Sequence, residues 1–387
     1  MTNKLYSGTI FLIISYIMFI LYGCQELNTP KSLHRIDILT AFKNKNTINL
    51  SSIAENIQYV QLETKKGVQL GHSPRFYLNE SYIIAFAAKQ IYLFNRQTGK
   101  FIREIGHFGQ DPGGYRNTIF NYPYDDEKQI CIAHGWGMNE YLLYDLKGGE
   151  IISISDLGNT FAILNDSIYV AYIKNLTGIE DKKLIILNIN QNNSIVNIFP
   201  NYLKFDPSGN FAMWKAQGWF YKYSDELHFF EQFTDTIYQV TPEKLFPKFV
   251  LVMGKFAPPY EEQNKSDFLK HDVKEYIFIE NIFESENYLL FKIKIDTNIF
   301  NGIYYKKFGT TKVSDSNYFI NNIDSFIPLI YSTISNNYLI GYCEAFNIKK
   351  WFEDNSEKAK KLPQYLRKLE DIKENDNPVL MLVKLKE

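Results

Sequence analysis

The chain reads as an all-β protein, a six-bladed β-propeller built from four-stranded blades, on three observations. Aromatic residues make up 16% of its 387 residues, with 28 Tyr and 30 Phe, and flat rings pack well on pleated surfaces. From about residue 47 onward, short apolar segments alternate with Asn, Asp and Gly turns, the pattern of many short strands. Those segments also repeat, six times, at a spacing suited to a blade of four strands.

The repeat is clearest between QIYLFNRQTGKFIREI (90–105) and EYLLYDLKGGEIISIS (140–155), each a strand, a polar turn holding Gly99 or Gly149, and a second strand. Weaker copies begin at 183, 235, 302 and 378. With Phe94, Tyr144, Leu187, Tyr238, Tyr305 and Val383 taken as equivalent, successive steps are 50, 43, 51, 67 and 78 residues. A single small sheet cannot bury both faces, whereas six arranged radially bury each face against a neighbour and leave short edges. The first unit has four strands, near 73–78, 82–87, 90–95 and 101–105. The last has three, near 328–334, 337–343 and 378–385, so NIQYVQLET (56–64) is expected to supply its fourth and lock the ring. The propeller domain is thus 47–387. The two longest steps hold insertions. Residues 344–376, about the length of one or two helices, are charge-rich, with Leu362, Tyr365, Leu366, Leu369 and Ile372 at helical spacing; a shorter helix is expected within 259–279.

The N-terminus is set apart from the fold. One lysine precedes an apolar run from Ile10 to Leu21, too short for a mature span, which takes roughly 20 residues. It reads as a signal peptide over 1–23. Its ending, Leu21-Tyr22-Gly23-Cys24, resembles a bacterial lipobox, which makes Cys24 the expected lipidation site and 24–46 a polar tether. The expected setting is the cell envelope, an outer-membrane lipoprotein facing the periplasm or the surface, with the membrane contacted through its lipid anchor. Cys131 and Cys343 lie 212 positions apart with no motif spacing and read as free thiols in strands.

Forty-two basic and 43 acidic residues give a net charge of -1, which offers no electrostatic case for nucleic acid. The glycine-rich stretch REIGHFGQDPGGYRN (103–117) matches neither G-x-x-x-x-G-K-[ST] nor G-x-G-x-x-G. It reads as the joint from the outer strand of blade 1 to the inner strand of blade 2, with Gly106, Gly109 and Gly113 taking turn conformations and Pro112 pre-setting one dihedral.

LFNRQTGKFIREIGHFGQDPGGY (93–115) resembles a recurring segment of the six-bladed β-propeller lipoproteins of Gram-negative bacteria, a family related to NHL-repeat propellers. ENDNPVLMLVKLKE (374–387) resembles that family's closing strand and NIQYVQLET its first strand. The resemblance runs from about residue 47 to the C-terminus; Asp111 replaces a glycine of the pattern and Gly114 its acidic residue. It implies the fold and is nearly silent on activity.

Catalytic signatures are absent from the sequence: there is no H-E-x-x-H, C-x-x-C, G-x-S-x-G, P-loop or EF-hand loop. The six histidines, His34, His72, His107, His134, His228 and His271, are scattered, so neither a metal nor another cofactor is expected. The usual concave site of a propeller is the axial channel and its mouth. The residues expected nearest that mouth are His107, Asp111, Arg116, Tyr122, Tyr124, Asp125, His134 and Trp136, although Asp125 and Asp126 also fit a solvated turn. Asp166-Ser167 and Asp235-Thr236 match a short O-glycosylation pattern and equally an ordinary β-turn. The functional expectation is a lipid-anchored, exported, non-catalytic binding module for a glycan, a peptide or an envelope protein. The alternatives are a lyase or hydrolase with a site assembled at the channel mouth, and a structural module of an envelope complex.

Overall fold

A computed structural model describes residues 33–386 except 72, 119–122, 138–139, 155–159, 207–217 and 271, with the backbone alone at 151, 269 and 272. The expected signal peptide, Cys24 and Tyr122 lie outside the described residues. The chain begins with β1 (His34–Asp37), helix α1 (Ile38–Lys43) and β2 (Ala54–Gln61). Blade 1 is β3 (Arg75–Leu78), β4 (Tyr82–Ala87), β5 (Gln90–Asn95) and β6 (Phe101–Ile105). A short parallel ribbon, β7 (His107–Phe108) and β8 (Gly114–Tyr115), leads on. Blade 2 is β9 (Tyr124–Asp125), β10 (Ile130–His134), β11 (Tyr141–Asp145) and β12 (Glu150–Ile154). Blade 3 is β13 (Thr160–Ile163), β14 (Ile168–Tyr172), β15 (Lys182–Asn188) and β16 (Ser194–Pro200). Blade 4 is β17 (Gly218–Tyr223), β18 (Glu226–Glu231), β19 (Thr236–Val240) and β20 (Leu245–Val252), and the short helix α2 (Ser266–Lys270) follows it.

Blade 5 is β21 (Phe278–Glu284), β22 (Tyr288–Ile295), β23 (Asn298–Tyr305) and β24 (Thr310–Val313). Blade 6 takes β25 (Tyr331–Ser335) and β26 (Tyr338–Cys343), then helices α3 (Ala345–Asp354), α4 (Ser356–Ala359) and α5 (Gln364–Arg367), then β27 (Val379–Leu385). Its fourth strand is β2, paired antiparallel to β27 with Ile57 opposite Val383 and Tyr59 opposite Met381. The six-bladed ring, its N-terminal closure and the helical insertion in the last blade are the architecture the repeat predicts. First strands of successive blades meet around the axis, β13 with β17, β17 with β21, β21 with β25 and β25 with β3.

The six positions aligned from sequence all fall in third strands, and four of them, Phe94, Tyr144, Leu187 and Tyr238, sit beside the same bulge against the outer strand. Apolar clusters fill the junctions between blades, a single one running through blades 2, 3 and 4. Phe94, Leu380 and Leu382 share the one between blades 6 and 1, and Tyr288, Ile303 and Val383 that between 5 and 6. Radial stacking therefore buries both faces of sheets that would be unstable singly.

The stretch expected as a polar tether is folded from His34 onward. Strand β1 adds a fifth strand outside β20. Asp37 accepts a hydrogen bond from the Thr40 backbone N–H at 2.9 Å and caps α1, whose Phe42 meets the rings of Phe256 and Phe300. Asn46 then bridges to Ser314 and Asn49 to Ile320 before β2 begins. The apolar residues Ile36, Ile38, Ala41 and Phe42, buried together, are why this short polar-looking segment is anchored. In the insertion, Ile348, Leu362, Leu366, Leu369 and Ile372 are buried against Phe326 and Val379, while Tyr365 faces out. Cys131 and Cys343 are free thiols on β10 and β26.

Candidate functional site

The first strands of five blades and the loops at their C-terminal ends enclose a cavity of about 600 Å³ around the axis. That size lies within the range of small-ligand pockets, roughly 300–1,000 Å³. Aromatic walls come from Tyr77, Tyr124, Trp219, Tyr221 and Phe283, with polar groups between them from Arg75, Asp126, Lys222, Glu280, Glu284 and Ser335. Tyr77 and Tyr124 are neighbours, their ring centroids 5.6 Å apart, and burial pushes the Tyr77 hydroxyl up to about 12.

Three charged arrangements border this space. On one side the Lys222 ammonium reaches from blade 4 to blade 2, 3.0 Å from Asp125 and 2.8 Å from Glu127. Asp125 is fully buried, and its other oxygen accepts hydrogen bonds from the backbone N–H groups of Glu127 and Lys128. The expected turn is present, closed by the Asp125 side chain, but this carboxylate is out of solvent and paired. On the other side Glu284 accepts a hydrogen bond from the Tyr221 hydroxyl at 3.0 Å and faces the ammonium groups of Lys306 at 2.6 Å and Lys248 at 3.3 Å. Tyr221 stacks on buried His228, with centroids 4.7 Å apart. Burial pushes the Lys306 ammonium down, against the pull of Glu284, and burial followed by Glu284 pushes the Tyr221 hydroxyl up.

The third arrangement is Asp126. Its Oδ1 is shut off from solvent and has no hydrogen-bond partner. Burial drives the carboxyl up to about 7, with the Ser335 hydroxyl opposing the shift and Asp125 and Glu127 adding to it. The hydrogen bonds around Ser335 can also accommodate the proton that burial retains. Its Oγ accepts from the Leu78 N–H at 3.1 Å and lies 2.9 Å from the Leu78 carbonyl and 3.1 Å from Asp126 Oδ2. One hydroxyl proton serves one acceptor at a time. With Asp126 protonated, the carboxyl donates to Ser335, Ser335 donates to Leu78, and every group but Oδ1 is satisfied. Trp219 Nε1 is likewise buried without an acceptor. Three polar atoms of the lining, Asp126 Oδ1, Trp219 Nε1 and the Tyr124 hydroxyl, thus have no hydrogen-bond partner among the described residues.

A family model described as a domain of unknown function, DUF4934, matches residues 33–384. The chain belongs to the DUF4934 family. Over 92% of its length, and all of the other chain, it is similar to the crystal structure of an inferred exported protein from Bacteroides fragilis, at 17% identity and a TM-score of 0.68. At that identity the likeness speaks to fold. The β-propeller domain of Myceliophteria thermophila Cps50 (Swd1) is similar over 73% of this chain and 95% of that one, at 9% identity and a TM-score of 0.38. No curated protein matches the chain.

The candidate residues read from this DUF4934 sequence separate into two groups. Tyr124 lines the axial cavity, and Asp125 lies beside it. His107, Arg116, His134 and Trp136 gather at the opposite end of blade 2, since Asp125 stands opposite Ile130 at one end of β10 while Asn117 bridges to His134 at the other. There His107 Nε2 is 2.8 Å from Asp111, Trp136 donates to the Gly109 carbonyl, and the Phe108 and Trp136 rings meet edge to face. His134 packs on Tyr141, and burial, aided by Arg116, pushes its imidazole down. Gly106 has φ +58°, and a Cβ there would come within 2.8 Å of the Tyr115 and Tyr144 rings. A Cβ on Gly114 would sit 2.4 Å from the Gly109 carbonyl oxygen. Gly113 has φ +76°, and its carbonyl accepts from the Tyr144 hydroxyl. These contacts pack the ribbon onto blade 2.

Arg75, Asp126, Lys222, Glu284 and Ser335 were not singled out as ligand candidates from the sequence. They come from five different blades, at or just beyond the first strand of each, and share no local sequence pattern. Among the described residues no group of three His, Cys, Asp or Glu side chains could hold a metal ion.

Proposed function

We propose that the protein is an exported, lipid-anchored module of a Gram-negative cell envelope that holds a glycan in its axial cavity without transforming it. The observation that carries this reading is the cavity lining, where tyrosine and tryptophan rings suited to stacking on sugar faces alternate with an unpaired acceptor, Asp126 Oδ1, and an unpaired donor, Trp219 Nε1. A polyhydroxylated ligand supplies both partners at once. A peptide or envelope protein would make less use of so enclosed a pair. Export rests on the N-terminal apolar run ending at Cys24 and on the description of the Bacteroides fragilis protein.

The test is a glycan-array screen of the protein, followed by titration of the hits against Trp219→Phe, which deletes the unpaired donor and keeps an aromatic ring. About tenfold weaker binding at an unchanged melting temperature is expected. Binding equal to wild type would remove the cavity as the site, and an array without hits would remove the glycan.

One observation favours a second reading, a lyase or hydrolase. A buried carboxyl that titrates near 7 is poised to donate a proton. Release of new reducing ends from any bound glycan would establish this reading over the first.

A further inference from the structure

We infer that the glycan held by the axial cavity carries a free amino group, an amino sugar rather than a neutral or N-acetylated one, and that Asp126 receives that amine. The inference rests on the glycan reading above and narrows it. Asp126 Oδ1 accepts nothing from the described residues and is covered from solvent, and leaving a buried acceptor unmade is costly, so a donor that turns aside the side chains over it gains the missing hydrogen bond.

Arg75 stands in the lining beside Tyr77, and the lysines around the cavity are committed to carboxylates of the chain. Lys222 is held between Asp125 and Glu127, Lys294 lies 3.3 Å from Glu280, and Lys306 and Lys248 converge on Glu284. Asp225 and Glu286 stand in the loops of the same wall, so the lining carries more acidic than basic groups. A field of that sign draws in a cation and repels a sulfated or uronic acid ligand. An amine and a carboxyl facing one another hold a single proton between them whichever side it rests on, so the pair stays bonded across neutral pH. An N-acetyl group would bring an amide and a methyl to a place shaped by a carboxyl and a hydroxyl, and would cancel the attraction.

The experiment is isothermal titration of the full chain in mild detergent at pH 7 with three disaccharide probes, the glucosamine disaccharide, its N-acetylated counterpart and cellobiose. The amino form is expected to bind at least tenfold tighter than the other two, and Asp126→Asn, at an unchanged or raised melting temperature, to abolish that preference. Equal affinities for the three probes, or a preference that survives Asp126→Asn, would overturn this inference and leave the glycan reading in place. Binding of none of them, together with an array without hits, would overturn both.

Discussion

Replacing Asp126 with Asn should change how stability depends on pH, in a direction fixed by the structure. The carboxyl is lifted from an ordinary 3.8 to about 7 by burial. The folded chain therefore binds this proton more tightly than the unfolded chain, and stability falls as pH rises from about 4 to about 7. At 1.36 kcal/mol for each tenfold, the full penalty for ionising the group in place is roughly 4 kcal/mol, most of it incurred between pH 5 and 7. Asn keeps the shape and lets its amide donate to Ser335 as the protonated acid does, without the ionisation. Equilibrium urea unfolding of the two proteins at pH 5 and pH 8.5 should show the difference between them widening in favour of Asn by roughly 2–3 kcal/mol. All other titrations are common to both and subtract out. Parallel pH profiles would refute the reasoning, because they would mean that Asp126 is ionised and solvated in the folded state.

Two further outcomes test the frame around the cavity. Lys222→Met leaves Asp125 buried without its cation, and should cost about 3–5 kcal/mol in urea unfolding; a loss below about 1 kcal/mol would show that the pair is solvated. Gly106→Ala meets both a positive φ and two tyrosine rings, whereas Gly67→Ala meets a positive φ and open space. The first should lower the melting temperature clearly more than the second, by the excess of a steric clash over a strain of roughly 1–2 kcal/mol.

The ring was legible because each blade repeats one local pattern, and Phe94, Tyr144, Leu187 and Tyr238 mark the same bulge in four of them. Closure by residues 54–61 was legible from a count of strands. The segment around β1 and α1 was not, since His34–Lys43 offers only a handful of apolar residues and its strand exists through its neighbour β20. The site was half legible for a geometric reason. Tyr124 and His134 are close in sequence, but an antiparallel pair sends them to opposite ends of a blade. Asp126 and Ser335, 3.1 Å apart, are separated by 209 positions in sequence. No local motif can encode a site whose parts meet when the first strands converge.

The pairing of β2 with β27 also sets a timetable. The first of these strands leaves the ribosome before the five intact blades and its partner after them, and the backbone N–H of Lys386 bonds to the Ile53 carbonyl. Until β27 emerges the nascent chain carries an unmated strand, Ala54–Gln61, beside blades that lack their final neighbour. Such late, distant pairings are slow and leave adhesive edges uncovered in the interim. Closure of the circle therefore waits on the last strand of the sixth blade, long after its partner has been made.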